Sequence, residues 1–330
     1  MNIILKNLTL AIILVILFIP FQLSANWYQH TFNTMGTRAH VEFWLDEKSA
    51  TTSHSQKLIS EVIAEMNRLD QSMSPYIKSS ELSLLNREAG HRAVPVSKEL
   101  ISLLATAHDI SVMSEGAFDI TYASIGYQYN YRDKIRPEQS AIANALASIN
   151  YQAVTLDERN NTVKFTNSDV KIDLGGIAKG YAIKRCISIL RTAGVKFALM
   201  SAGGDTALLG DRNGRPWLVG IKHPRAEEKN AVHIPLNDEA ISTSGDYERY
   251  FIEDGKRYHH IINPKTGDSA RKVVSVSVIG KDTTVVDALS TTLFVKGLKE
   301  GMNIINKLAE YEAIIIDNEQ RLHFSEGLQQ

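Results

Sequence analysis

The stretch Lys171-Ile172-Asp173-Leu174-Gly175-Gly176-Ile177-Ala178-Lys179-Gly180 constrains this chain more than any other. Val170 and Ile172 give an apolar start that reads as the end of a strand. From Ala178 onward, Ile183, Ile187 and Leu190 recur at helical spacing. The glycine pair therefore stands at a strand-to-helix turn. Such a turn leaves the first N–H groups of the helix unpaired, a setting that suits phosphate. Glycine lets a ligand approach the backbone with no Cβ in the way. Asp173 places a carboxylate beside the turn, and Lys179 adds a cation on the helix. A phosphate ligand with a divalent metal fits this set, and so does an ordinary glycine-rich turn with a capping Asp.

The flanking segments mix the two periodicities. Arg38 to Leu45 alternates as a strand after the small-residue turn Thr34-Met35-Gly36-Thr37, and Leu58 to Leu69 carries a helical stripe. That helix ends in the loop Asp70 to Tyr76, with Pro75 as breaker. Short helices are expected from Ser80, from Ser97 and after Pro137, with Ala117 to Thr121 extended. Beyond the central helix the texture turns to strands. Phe197 to Met200 runs into Ser201-Ala202-Gly203-Gly204-Asp205, a second glycine pair followed by a carboxylate. Ile241 to Asp246 reads as a polar turn, and Asp254-Gly255 as the tip of a hairpin. Thr284 to Gly297 reads as a helix, and Tyr311 to Phe324 as a closing hairpin. Without regular βαβ alternation the class is α+β, with no clean domain boundary.

A net charge of −1 with 22% charged residues gives no basic excess for nucleic acid. The single cysteine, Cys186, forms no internal disulfide and reads as a packed small hydrophobe. Lys6, the apolar run Leu8 to Phe21 and the small residues before Asn26 fit a secretory signal peptide over residues 1–25, followed by one domain over 26–330. The run is short for a membrane span, which takes roughly 20 apolar residues, although it leaves an uncleaved anchor open. A periplasmic protein, or one associated with the inner membrane and facing the periplasm, is expected in a Gram-negative source.

Two further stretches carry chemistry. Asp287 and Thr291 stand four apart on a helix and share one face. A carboxylate and a hydroxyl at that spacing suit Mg²⁺, which prefers oxygen ligands; Thr291 bonding back within its helix is the alternative. In His259-His260-Ile261-Ile262-Asn263-Pro264, adjacent histidines on a strand face opposite ways. His260 is the candidate general base or phosphate contact, and His259 the one that caps the turn. The common nucleotide motifs and a serine nucleophile elbow are missing.

Taken in order, Met35-Gly36-Thr37, Asp70 to Tyr76 with Ser80-Glu81-Leu82, Gly116 to Thr121, Asp173 to Gly180, Ser201 to Asp205, Ser242 to Phe251, His259 to Gly267 and Asp287 to Thr291 resemble the ApbE family, the FAD:protein FMN transferases. The resemblance implies an ApbE-like, T-fold-related α+β architecture with FAD in a cleft between two sub-domains. By position, Met35, Tyr76, Ala117, Phe118, Asp119, Asp173, Lys179 and Ile261 match FAD contacts. Asp287, Thr291 and the Gly176 carbonyl match ligands of Mg²⁺, and His260 with Asp287 are the catalytic candidates. Members move FMN from FAD onto a Thr or Ser of a partner, releasing AMP. Typical partners are flavoprotein subunits of membrane redox complexes of the sodium-translocating quinone reductase (Nqr) and Rnf types, or other exported flavoproteins. Asn263 stands where Asp is frequent, and it keeps the Asx-turn before Pro264. The alternatives are an Mg²⁺-dependent FAD pyrophosphatase and a non-catalytic FAD-binding protein, with a periplasmic solute-binding protein further off.

Overall fold

The computed structural model describes residues 27–226 and 228–329, so the expected signal segment lies outside it. Among the described residues, eight strands form one sheet: β1 (Trp27–Thr34), β2 (Thr37–Trp44), β3 (Ala198–Ala202), β4 (Asp205–Leu209), β5 (Ala240–Gly245), β6 (Ser275–Gly280), β7 (Tyr311–Ile316) and β8 (Leu322–Phe324). Their order across the sheet is their order in the chain, and every neighbouring pair is antiparallel. Apart from a 3₁₀ turn at Glu326–Leu328, the other described elements are inserted between strands. The longer helices are α1 (Thr52–Met73), α2 (Glu81–Glu88), α3 (Lys98–Met113), α4 (Ala178–Thr192), α5 (Thr283–Lys296) and α6 (Leu298–Ile305), with short ones at Ala123–Gly126 and, after Pro137, at Gln139–Ala145.

The two faces of the sheet are covered differently. Helices α4 and α5 pack on one face, with α1 against α4. Leu58, Val62, Met66, Leu69 and Met73 of α1 are buried as its stripe requires. Each such side chain contributes roughly 1.5–3 kcal/mol. The Thr51 side chain caps α1 by accepting the His54 N–H, and Ser80 and Ser97 cap α2 and α3 in the same way. The other face carries a hairpin of Trp217–Lys222 and Asn230–Leu236. Trp217, Ile221 and Leu236 close there over Leu208, Ile241, Ile279 and Ile314.

A small sheet of Val94–Pro95, Thr162–Phe165 and Val154–Asp157 lies apart from the large one. Its Val163 and Phe165 nonetheless join Leu104, Ile183, Val278 and Leu289 in one continuous core. That continuity is the physical reason for the missing boundary in the sequence. No helix among the described residues is long and apolar enough to cross a membrane.

Four expectations about local structure change. Ile241 to Asp246 is no turn: Ala240–Gly245 is β5, an interior strand. Its Ser242 and Ser244 are tolerated on the helix-facing side because their hydroxyls find buried partners. Val170 to Ile172 joins no ladder, since Ser124 and Asn86 side chains take the Lys171 and Ile172 N–H groups. Ala117 to Thr121 is bent rather than extended, because the Asp119 carboxylate caps a 3₁₀ turn over Ile120–Tyr122. Edge strand β1 lies outside the expected set, and it pairs only with β2. The Asx-turn holds: Asn263 Oδ1 accepts the Lys265 N–H at 3.0 Å.

Candidate active site

The site forms where α4 and α5 meet. Gly180, in the first turn of α4, lies directly against α5. A Cβ there would overlap the Thr283 carbonyl oxygen and sit 2.7 Å from Asp287 Cβ. The Gly180 N–H donates to Asp287 Oδ2 at 3.0 Å, so a carboxylate of α5 takes an N–H that the start of α4 leaves free. One turn further along α5, the Thr291 hydroxyl lies 3.3 Å from where a Cβ on Gly176 would stand, and Phe118 Cε2 lies equally close. Three segments that are far apart in the chain, Phe118, Gly176 and Asp287 with Thr291, are thus brought together.

Lys179 crosses this junction. Its Nζ lies 2.6 Å from Asp205 Oδ2 and 3.8 Å from Asp287 Oδ2. Both carboxylates are nearly sealed from solvent, Asp205 at 1% and Asp287 at 3% exposure. Burial works against the Lys179 charge, but the Asp205 and Asp287 carboxylates outweigh it and hold the ammonium above the ordinary lysine range. Burial, and then the nearby Asp205, raises the Asp287 carboxyl above the usual carboxylate range.

A line of hydroxyls completes the floor. Ser242 donates to Asp205 Oδ1. Ser244 Oγ lies 2.8 Å from Ser290 Oγ and 3.2 Å from Thr291 Oγ1. Ser290 donates to the Asp287 carbonyl at 2.8 Å. Asp287 and Thr291 bring side-chain oxygens to one face of α5 beside Gly176, and two carboxylates share one ammonium. Both features suit a hard cation. Among the described residues no three His, Cys, Asp or Glu side chains cluster as a metal cage. Mg²⁺ rarely uses one, binding through one or two carboxylates plus waters and substrate phosphates.

The remaining predicted residues fall into distinct settings. Asp173 Oδ1 accepts the Gly175 N–H at 2.7 Å and the Tyr122 hydroxyl at 3.1 Å, so it shapes the glycine turn. The Asp119 carboxylate is spent on the Thr121 N–H and hydroxyl and the Tyr151 N–H. Ala117 and Phe118 are buried beside it. Met35 and Gly36 form the left-handed turn between β1 and β2, with φ of 48° and 68°. Tyr76 is 80% exposed, a large ring standing in solvent. Ile261 is buried, and its carbonyl accepts the Ala270 N–H.

The two histidines do face different surroundings. His259 is sealed: Nε2–H donates to the Ala270 carbonyl, and Nδ1 accepts the Ile261 N–H at 3.4 Å. Burial pushes it down to about 4. His260 Nδ1 is buried with no hydrogen-bond partner. Burial, followed by His259, Arg249 and Lys179, pushes His260 down to about 3. It is therefore a neutral imidazole. The residue as a whole is half-buried, so the ring is partly reachable although Nδ1 itself is sealed.

A model of the ApbE family matches residues 35–315. The chain belongs to the ApbE family. The FAD:protein FMN transferase of Haemophilus influenzae is 32% identical to it over 298 residues, which covers 86% of this chain and 86% of that protein. Its counterpart in Treponema pallidum is 30% identical over 312 residues, covering 89% and 85%. Among solved structures, the ApbE protein of Thermotoga maritima matches with a TM-score of 0.84 at 32% identity, over 92% of this chain and 98% of that one. The flavin transferase ApbE of Vibrio cholerae matches with a TM-score of 0.81 at 26% identity, over 92% and 98%. The expected ApbE-like α+β fold is the one present.

In this ApbE chain the sequence reading passes over Asp205, Ser242, Ser244 and Ser290 as site residues. The carboxylate after the second glycine pair is the signal that was available for Asp205. Nothing in the spacing of the serines announces a hydroxyl floor, because Ser290 reaches it from helix α5 while Ser242 and Ser244 stand on strand β5.

Proposed function

We propose that this chain transfers FMN from FAD to a Thr or Ser hydroxyl of a partner protein, releasing AMP, with the help of Mg²⁺. The observation that carries the reading is the convergence of Gly176, Asp287 and Thr291 beside Lys179. The relatives' names as FAD:protein FMN transferases support it. The Asp287 carboxylate, the Thr291 hydroxyl and the Gly176 carbonyl would hold the cation. When bound, Mg²⁺ supplies positive charge to the pyrophosphate oxygens and to the departing AMP phosphate.

The chain's own groups do the rest. Lys179, held by Asp205, presents a fixed cation to the pyrophosphate. Asp173 shapes the glycine turn around it, while Tyr76, Met35, Ile261 and the Ala117 to Asp119 segment frame the flavin side. The acceptor oxygen bonds to the FMN-side phosphorus, the bond from that phosphorus to the bridging oxygen breaks, and AMP leaves with that oxygen. The His260 imidazole takes the acceptor's proton. With residues 1–25 read as a secretory leader, the protein works in the periplasm or on the inner membrane facing it. Acceptors there are exported flavoproteins, including subunits of Nqr- and Rnf-type complexes.

The test is to incubate the protein with FAD, with and without Mg²⁺, and with and without an acceptor bearing a target Thr. AMP together with covalent flavin fluorescence on the acceptor supports transfer. AMP without covalent flavin makes the chain an FAD pyrophosphatase. Bound FAD with neither product makes it a carrier.

A further inference from the structure

We infer that Asp205 is a positioning residue that holds the Lys179 ammonium off Asp287, so that the Asp287 carboxylate stays open to a cation. The inference rests on the proposed metal role of Asp287. Lys179 Nζ has a choice of two buried carboxylates and stands 2.6 Å from Asp205 but 3.8 Å from Asp287. Asp205 does not drift toward the lysine. It opens β4 after the Gly203-Gly204 turn, pairs across the ladder with Ser242, and takes that residue's hydroxyl on its other oxygen. Asp287 is fastened too, by the Gly180 N–H. The lysine is the one flexible member of the trio, and the two fixed carboxylates decide where its charge rests.

Without the Asp205 charge, Asp287 is the one carboxylate among the described residues within 4 Å of the ammonium, and a shift of little more than 1 Å brings it into contact. An ion pair there competes directly with a metal ion for the same oxygen. Asp205 thus acts on the metal through Lys179, without touching either metal or FAD.

The experiment measures the Mg²⁺ concentration that half-saturates the Mg²⁺-dependent part of FAD binding, followed by flavin fluorescence at saturating FAD. It uses the full chain and the variants Asp205→Asn, Lys179→Gln and the double variant. Asp205→Asn should raise the half-saturating Mg²⁺ about tenfold, the low end for an outer-shell residue. The double variant should return to within about threefold of Lys179→Gln alone, since the competing ammonium is gone. A purely structural Asp205 predicts no such rescue. Asp205→Asn matching wild type, or a double variant as weak as Asp205→Asn, overturns the inference. If Asp205→Asn does not fold, Ser242→Ala loosens the same carboxylate and should give a smaller rise, which Lys179→Gln again removes; an unchanged Ser242→Ala then overturns it. Wild-type protein that binds FAD with no response to Mg²⁺ overturns the metal reading itself, and this one with it.

Discussion

Asp287 Oδ2 accepts the Gly180 N–H at 3.0 Å, so the carboxylate assigned to the metal also fastens the start of α4 to the side of α5. Asp287→Asn keeps an oxygen for that hydrogen bond and loses the charge. Its thermal unfolding should stay near wild type. Its FMN transfer and its Mg²⁺ response should fall by more than the roughly 10–100-fold typical of an outer-shell change. Wild-type transfer in this variant would remove the metal site.

The same junction leaves no room at Gly180. Gly180→Ala places a methyl group onto the Thr283 carbonyl and the Asp287 side chain. Overpacking of this kind costs about 1–3 kcal/mol, and here it also pushes the helices apart at the site. Urea unfolding should show that loss together with weakened Mg²⁺-dependent FAD binding. A stable variant with normal binding would mean that the two helices slide freely.

His260 is half-buried, and its Nδ1 has no hydrogen-bond partner among the described residues. His260→Gln should slow transfer about a hundredfold, within the usual range for a general base, and leave FAD affinity within a factor of about three. Unchanged turnover would leave His260 as a structural residue.

His259 makes a pH prediction with a definite sign. Its folded pKa, lowered to about 4, lies below the ordinary value of 6.5, so between those values the unfolded chain binds the extra proton. Wild type therefore loses stability as pH falls through this window, at about 1.4 kcal/mol per pH unit for this residue. His259→Gln carries no such proton. The stability gap between wild type and variant, measured by urea unfolding, should narrow by about 2–3 kcal/mol from pH 7 to 4.5. A gap that stays constant would mean that His259 is not held neutral by burial.

Most helices were legible because their apolar stripes face one core, as in α1. The glycine turn was legible because an apolar helical stripe begins directly after it. Three of the misread segments hold polar groups whose hydrogen-bond partners, near or distant, the local pattern does not announce. Ser242 and Ser244 look like a turn until Asp205, Ser290 and Thr291 supply hydrogen bonds from elsewhere. Ile172 looks like a strand until Asn86 takes its N–H. Asp119 stands in a stretch that looks extended until its carboxylate collects three nearby donors. Local pattern reports propensity, and it cannot report which side chain will arrive from far along the chain.

The sheet's strand order carries a consequence for how the molecule is made. β1 and β2 are a local hairpin, but β2 pairs next with β3, so His40 meets Ser201 only after the whole intervening insertion has found its place. Closing so long a loop is slow relative to local contacts. A chain emerging end first exposes Val41 and Phe43 on an open strand while the insertion assembles. Pulse-labelled hydrogen exchange should find the β2 amides that face β3 among the last protected, and early protection there would reverse the order. Until then that strand is the molecule's sticky edge, the place where a newly made copy would be caught by a chaperone or by another copy of itself.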